Sequence, residues 1–232
     1  MQVKQFRYGA DNLGYLIYGK KEAMAIDGGA VDDVLVFLKE NELALTYVTN
    51  THNHPDHTQG AQALAQATGA VYLNPGTLIK KKRIEMAEGS ILVHHTPGHT
   101  NDSITFEIGK YLITGDTLFN GTVGNCFSGD SRGFYRSIIH LLSFDDDTIV
   151  YAGHDYVEES MAFARSLEPS NRDIDRFMDH YEKEHVYSTL AQERLINPYL
   201  RFNEKTIIRL LRTRGLAVET EFQRWESIMS IG

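Results

Sequence analysis

The stretch Thr51-His52-Asn53-His54-Pro55-Asp56-His57 follows the β-branched run Tyr47–Thr49 and places three histidines and one aspartate within six residues. In an extended segment alternate residues project to one side, which would bring His52, His54 and Asp56 to the same face. The last histidine of the stretch can turn inward where a helix begins. Imidazole nitrogens suit zinc or iron, and a carboxylate can bridge or orient, so the stretch predicts a metal site at a strand end.

Three further residues of ligand type each follow a predicted strand and stand beside a glycine. They are His99 in Thr96–Thr100, Asp116 in Thr114–Thr117 and His154 in Ala152–Asp155. A single histidine is more often structural, but packing explains the joint pattern poorly. Loop ends above a rigid sheet are common positions for functional groups. Seven ligands exceed what one tetrahedral ion needs, which indicates two metal ions that share a carboxylate.

Hydrophobic periodicity in the first two-thirds of the chain predicts short strands separated by turns and a few helices. The predicted strands are Val3–Tyr8, Leu13–Tyr18, Ala23–Asp27, Tyr47–Thr49, Ala70–Leu73, Ile91–His95, Ile104–Ile108, Tyr111–Thr114 and Thr148–Ala152. Helices are predicted over Asp32–Glu40, after His57 and around Tyr135–Leu142.

After about Glu158 the strand signals disappear and helix signals replace them. Asn171 is a favourable N-cap, and Thr189–Gln192 has the spacing of a capping box. We therefore predict two domains: residues 1–157 with the metal site, and an all-helical domain over 158–232 that contributes to the substrate pocket.

Composition limits the classes of partner. The net charge of −8 argues against binding nucleic acid through broad phosphate attraction, and the basic run Lys80–Arg83 is interpreted as a solvated loop or helix face. No apolar stretch reaches the length of a membrane helix, so no membrane partner is expected. The one cysteine, Cys126, is consistent with a reducing cytoplasm, which is the predicted location.

The motif series Thr-His-x-His-x-Asp-His, Pro-Gly-His, Gly-Asp-Thr and Gly-His resembles the ligand series of the metallo-β-lactamase superfamily over residues 1–157. The resemblance implies an αββα sandwich of mixed α/β (α+β) class with the site at one edge. It further implies one metal at His52, His54 and His99, a second at Asp56, His57 and His154, and Asp116 as the bridge. Two divalent metal ions are expected, with zinc favoured and iron or manganese also suited to these ligands.

The tail resembles glyoxalase II, the hydroxyacylglutathione hydrolase family. The similar segments are Ala152–Tyr156, Phe163–Pro169 with Asn171, Ser188–Glu193 and Asn197–Arg201. This resemblance implies hydrolysis of a small thioester, S-D-lactoylglutathione, to D-lactate and glutathione by attack of a metal-bridging hydroxide. Asp56 and Asp116 would be catalytic, and a monomer or small homo-oligomer is expected.

Four positions are candidate substrate contacts by the same resemblance. Tyr156 occupies the place of a tyrosine that contacts glutathione in the family. Asn125 and Phe127 stand where the family has a lysine and a tyrosine, so a cation and a hydroxyl donor are replaced here. Arg224 is the nearest counterpart of a basic pair near the family's C-terminus. The chemistry is therefore better supported than glutathione as the thiol carrier.

Three alternatives remain open at the level of sequence. The first is a persulfide dioxygenase, which resembles this family in fold and motifs but uses a single iron and O2. The second is another hydrolase of the superfamily, such as a lactonase or a nuclease, the latter disfavoured by the negative charge. The third is a metal-binding protein without turnover.

Overall fold

The computed structural model describes residues 1–231 and has two β-sheets at its centre. In the first sheet the strand order is β1-β2-β3-β4-β5, and in the second it is β11-β10-β9-β8-β7-β6. The strands are β1 Gln2–Tyr8, β2 Asn12–Tyr18, β3 Glu22–Ile26, β4 Ala44–Thr49, β5 Val71–Leu73, β6 Arg83–Met86, β7 Gly89–His95, β8 Ile104–Ile108, β9 Tyr111–Gly115, β10 Ile149–Ala152 and β11 Ser188–Thr189.

Ten helices complete the described part of the chain. They are α1 Val31–Glu40, α2 Pro55–Thr58, α3 Ala61–Thr68, α4 Pro75–Lys81, α5 Ser131–Leu141, α6 Val157–Leu167, α7 Arg172–Met178, α8 Leu190–Ile196, α9 Lys205–Thr213 and α10 Glu221–Met229. None of these helices is long and apolar enough to cross a membrane.

Alternating side chains of β2 show how the layers form. Tyr15 and Ile17 belong to a core between the two sheets, whereas Leu16 packs on the opposite side with Val34 and Leu38 of α1. A strand covered on both faces is expected to be apolar at nearly every position, as β2 is. The helices α5 and α8–α10 cover the outer face of the second sheet around β9 and β10. The predicted αββα sandwich with a helical C-terminal part is thereby confirmed.

Several local predictions are also confirmed. Asn171 caps α7 by accepting a hydrogen bond from the Asp173 backbone N–H. Thr189 and Gln192 form the predicted capping box of α8. The basic run Lys80–Arg83 is exposed at the end of α4 and the start of β6, as expected for a solvated surface.

Three elements differ from the sequence predictions. The helix α4 and the strand β6 were not predicted; β6 has only 4 residues and follows a charged run. The tail is also not wholly helical, since β11 pairs antiparallel with β10 through Ile149–Thr189 and Val150–Ser188. A two-residue strand has no periodicity of its own; it forms because the edge of β10 offers free backbone hydrogen-bonding groups.

The topology brings several strand ends to one edge. Strands β3 and β4 are parallel, as are β9 and β10, so the carboxyl ends within each pair coincide. The two sheets meet there: the Ile104 backbone N–H donates to Thr51 O at 2.9 Å, and the Leu13 N–H donates to Gly153 O at 2.8 Å. Side chains that follow these strands therefore converge.

Candidate metal centre

The stretch after β4 divides into an extended part and a helical part. His54 has extended backbone angles and precedes Pro55, the first residue of α2. Proline is favoured at this first helical position because its missing N–H would have no helical partner. Asp56 therefore lies on α2 with His57, whereas the sequence interpretation placed it in the extended segment.

The first group of ligand-type atoms consists of His52, His54, His99 and Asp116. His54 Nδ1 lies 2.9 Å from His52 Nε2 and 3.1 Å from His99 Nε2. Asp116 Oδ2 lies 3.5 Å from His99 Nε2 and 3.9 Å from His52 Nε2. Four donor atoms from three separate loops thus surround one point.

The second group consists of Asp56, His57 and His154. The two Nε2 atoms of His57 and His154 are 3.2 Å apart, and Asp56 Oδ2 lies 3.6 Å and 3.3 Å from them, respectively. Asp116 reaches this group as well, with Oδ1 3.4 Å from His57 Nε2 and Oδ2 3.5 Å from His154 Nε2. The carboxylate of Asp116 therefore lies between the two groups.

The donor atoms fit two divalent cations. Ligand bonds of 2.0–2.1 Å in a tetrahedron place neighbouring donors about 3.3 Å apart, and the distances above lie around that value. Asp116 Oδ1 is buried and has no hydrogen-bond partner among the described residues, which is costly unless a cation faces it. His54 Nδ1 faces two imidazole nitrogens at once, an arrangement that a shared cation explains better than one hydrogen bond does.

Asp27 orients His57 from behind. Its Oδ2 lies 3.0 Å from His57 Nδ1, and it accepts hydrogen bonds from the Thr51 backbone N–H and hydroxyl, both at 2.8 Å. The carboxylate holds a proton on His57 Nδ1 and turns Nε2 toward the second group, where a metal ion would take the place of the Nε2 proton. Thr51 also contacts His52, with Oγ1 3.1 Å from Nδ1.

Two other ligand histidines are held in the same way. His154 Nδ1 lies 2.8 Å from Asp11 Oδ1, and His99 Nδ1 lies 3.1 Å from the backbone oxygen of Asn125. Neither Asp11 nor Asp27 was predicted from the sequence as a site residue. Asp27 had a usable signal, since it is a carboxylate at the end of a predicted strand and precedes two glycines, whereas Asp11 lies in a turn with no motif.

Electrostatics favour positive charge at the centre. Burial alone would raise the pKa of Asp116, but His154 and His57 hold it well below its usual value. Burial would lower the pKa of His57, yet Asp27 and Asp116 outweigh it and raise this pKa to about 11. Burial lowers the pKa of His52 to about 3, which keeps this ring neutral with a free lone pair.

Close packing explains the small residues beside the ligands. A Cβ on Gly153 would lie 2.1 Å from Asp116 Oδ1 and 2.9 Å from His57 Cε1. A Cβ on Gly124 would lie 2.0 Å from the backbone oxygen of Asp116 and 3.0 Å from His99 Nδ1. Any side chain at these two positions would displace a ligand.

A cavity of about 550 Å³ opens onto both groups. Three predicted substrate contacts, Asn125, Phe127 and Tyr156, line it. The Tyr156 ring stacks on the His154 ring, with centroids 5.0 Å apart and an interplanar angle of 5°. The exposed ring of Phe127 lies 5.2 Å from that of His99. Aromatic surface therefore borders both ligand groups.

Arg224 does not line this cavity. Its guanidinium donates to Asn203 Oδ1 at 2.6 Å and 2.9 Å and to the backbone oxygen of Val218 at 2.9 Å, all within the tail. Its donors have partners outside the cavity in this structure, and the role of Arg224 in substrate binding stays a prediction.

Comparison with known proteins assigns both parts of the chain. The model of the metallo-β-lactamase superfamily matches residues 11–83 and 77–154, and the model described as hydroxyacylglutathione hydrolase C-terminus matches residues 155–226. The chain is 34% identical over 215 residues to the hydroxyacylglutathione hydrolase of Anaeromyxobacter dehalogenans, covering 85% of this chain and 84% of the relative. It is 28% identical over 249 residues to that of Vibrio cholerae, covering 98% and 99%.

Among solved structures, ETHE1 from Myxococcus xanthus is similar over 100% of this chain and 91% of its own. The TM-score is 0.71 at 25% sequence identity.

Proposed function

Because the chain belongs to the metallo-β-lactamase superfamily and continues into a hydroxyacylglutathione hydrolase C-terminal region, we propose that it hydrolyses S-D-lactoylglutathione to D-lactate and glutathione. One observation carries the proposal: seven ligand-type side chains converge in two groups that Asp116 connects, on the wall of a cavity large enough for a small thioester. Water attacks the carbonyl carbon, a C–O bond replaces the C–S bond, and the products are a carboxylate, a thiol and one proton.

The proposed ligands are His52, His54 and His99 for one ion, Asp56, His57 and His154 for the other, and Asp116 for both. Zinc is the proposed metal, and iron or manganese also suits imidazole and carboxylate donors. Two divalent cations held there supply a water molecule of lowered pKa and a Lewis acid for the carbonyl oxygen.

Asp56 has a second role in this proposal. It lines the cavity with 45% of its side chain exposed, and its Oδ2 accepts a hydrogen bond from Asn12 Nδ2 at 3.0 Å. Burial would raise the pKa of Asp56, but His57 and the Asn12 hydrogen bond lower it below its usual value. An ionised, partly exposed carboxylate here can orient the attacking water by accepting a hydrogen bond from it.

Tyr156 is the proposed contact for the thiol part of the substrate. Burial raises its pKa to about 12, so its hydroxyl stays protonated at neutral pH and can donate a hydrogen bond. Asn125 and Phe127 are proposed to supply an amide and an apolar surface on the opposite side. We also propose the division into residues 1–157, which hold the metals, and 158–232, which complete the substrate pocket.

Turnover of S-D-lactoylglutathione by the metal-loaded protein tests this proposal. We expect hydrolysis with two metal ions per chain, and loss of hydrolysis in Asp116→Ala. Asp147→Ala is the matched control, since Asp147 is an exposed aspartate in a loop away from the ligands and should remain active.

Two results would overturn the proposal. One is the absence of thioester hydrolysis by folded protein that retains two metals. The other is O2 consumption with one iron per chain, which would favour the persulfide dioxygenase. The match of residues 155–226 to the hydroxyacylglutathione hydrolase C-terminus favours the hydrolase over the dioxygenase.

A further inference from the structure

One face of α6 forms a wall of the cavity. Tyr156, Glu159, Ser160 and Phe163 all line it, at the spacing i, i+3, i+4 and i+7 that places side chains on one side of a helix. The ring of Phe163 stacks on that of Tyr199, another lining residue, with centroids 5.9 Å apart. The wall is therefore aromatic, with one charged side chain in it.

Apart from the histidines of the two ligand groups, every charged side chain among the described lining residues is acidic. Among the lining residues that the structure describes there is no lysine or arginine, and Glu159 is the one acid that is not a proposed metal ligand. The arginines that form ion pairs within residues 1–231 pair with other acids. Glu159 is exposed, so its carboxylate is available to a bound molecule.

Two acidic residues of α6 differ in their access to the cavity. Acidic residues in a first turn are favourable because of the helix dipole, and α6 has two of them, Glu158 and Glu159. Only Glu159 lines the cavity. Since Glu158 already supplies negative charge to the helix terminus, the two side chains share the dipole interaction and differ in their access to substrate.

We propose that Glu159 is a specificity-determining residue that selects thioesters whose thiol part carries a cationic nitrogen. The inference rests on the proposed thioester hydrolysis and deepens it by naming the charge of the preferred thiol carrier. A cationic nitrogen paired with Glu159 would lie beside the rings of Tyr156 and Phe163, which attract cations through their faces. In a glutathione thioester the matching group is the free ammonium of the γ-glutamyl residue.

A pair of probes isolates the charge. S-lactoylthiocholine carries a quaternary ammonium, and S-lactoyl-3,3-dimethylbutanethiol is its neutral carbon isostere, with the same acyl group. The measured quantity is the ratio of kcat/KM for the cationic probe to kcat/KM for the neutral one. Differences in intrinsic leaving-group reactivity cancel when this ratio is compared between enzyme variants.

We expect Glu159→Gln to lower the ratio roughly two- to fivefold, the range supported by an exposed ion pair. Glu158→Gln is the matched control and should leave the ratio unchanged. The wild-type preference should also shrink at 1 M salt, where the Debye length falls to about 3 Å. Metal content is measured in each variant, so that a change in the ratio is compared between equally loaded enzymes.

The outcomes separate the two levels of proposal. An unchanged ratio in Glu159→Gln, with S-D-lactoylglutathione still hydrolysed, would overturn the role of Glu159 and leave the proposed function intact. An equal fall of the ratio in Glu158→Gln would also overturn the role of Glu159, since the effect would then come from the charge at the helix terminus. No hydrolysis of any thioester by metal-loaded wild type would overturn the proposed function and this inference with it.

Discussion

Asp27 offers a sharp test of how the second metal position is built. The residue is fully buried, with φ of 51°, and its carboxylate receives two hydrogen bonds from Thr51 while it faces His57 Nδ1 at 3.0 Å. Asp27→Asn keeps the shape of the side chain and removes its charge. It also places an amide N–H₂ against a present donor: the Thr51 backbone N–H if the nitrogen replaces Oδ1, or the Thr51 hydroxyl and His57 Nδ1 if it replaces Oδ2.

Two costs follow from that change. Carboxylate partners of metal-binding histidines typically contribute 10- to 100-fold in metal affinity, or about 1.4–2.7 kcal/mol. The loss of metal affinity should affect mainly the second group, because Asp27 contacts His57 directly but contacts His52 only through Thr51. The unsatisfied donor adds about 1–3 kcal/mol of destabilisation to the folded protein.

Metal content after dialysis against chelators of graded strength measures the first cost, and chemical denaturation at fixed metal content measures the second. We expect two ions per wild-type chain and nearly one per Asp27→Asn chain at intermediate chelator strength. Asp147→Asn, which removes an exposed carboxylate, should match the wild type. Retention of both ions with unchanged affinity would refute the role given to Asp27, and simultaneous loss of both would show that it supports the whole centre rather than His57.

Three further changes test other parts of the molecule. Gly153→Ala should abolish binding of the second metal, because its Cβ would lie 2.1 Å from Asp116 Oδ1; normal metal content would contradict this close packing. Burial raises the pKa of Glu193 to about 7, above its ordinary value of 4.5. The protonated side chain therefore contributes about 3 kcal/mol to the free energy of unfolding below pH 4.5, and this contribution is lost as the pH rises through 7. Glu193→Gln should remove this decline in stability, which chemical denaturation at fixed metal content between pH 4.5 and 8 would show. Parallel curves of stability against pH for the variant and the wild type would contradict the role of Glu193. Thr189→Ala should cost about 1 kcal/mol by removing the α8 capping box, measured by the shift in urea midpoint, and an unchanged midpoint would show that β11 pairing alone fixes this helix start.

The proposed ligands could be identified from sequence because each stands in a local pattern. His99, Asp116 and His154 each follow a strand next to a glycine, and the structure shows why: a side chain on Gly153 would meet Asp116 and His57. Apolar runs such as β2 predicted most of the strands, whereas the αββα sandwich was predicted from the resemblance to the metallo-β-lactamase superfamily. Local sequence patterns were sufficient to predict a site residue where the structural constraint on it comes from residues next to it in the chain.

The contacts that orient the ligands required the tertiary structure. Asp11 meets His154 across 143 positions of the chain, and the turn that holds it carries no motif. The strand β11 forms only because β10, which is distant in the sequence, offers a free edge to which Ser188 and Thr189 can pair. Arg224 was assigned by resemblance, and only its bonds to Asn203 and Val218 revealed that its donors are already used.

The two parts of the chain divide the work of the proposed enzyme, and a buried contact near the cavity links them. The proposed metal ligands all lie within residues 52–154, whereas α6 and Tyr199 of the tail form one wall of the cavity. Glu193 of α8 accepts a hydrogen bond from the Gly121 backbone N–H at 3.0 Å, in the loop that continues to Asn125 and Phe127. Because that bond holds the start of this loop, loss of the Glu193 bond should widen the cavity and raise KM for every thioester alike, whereas substitutions on α6 should change which thiol is accepted.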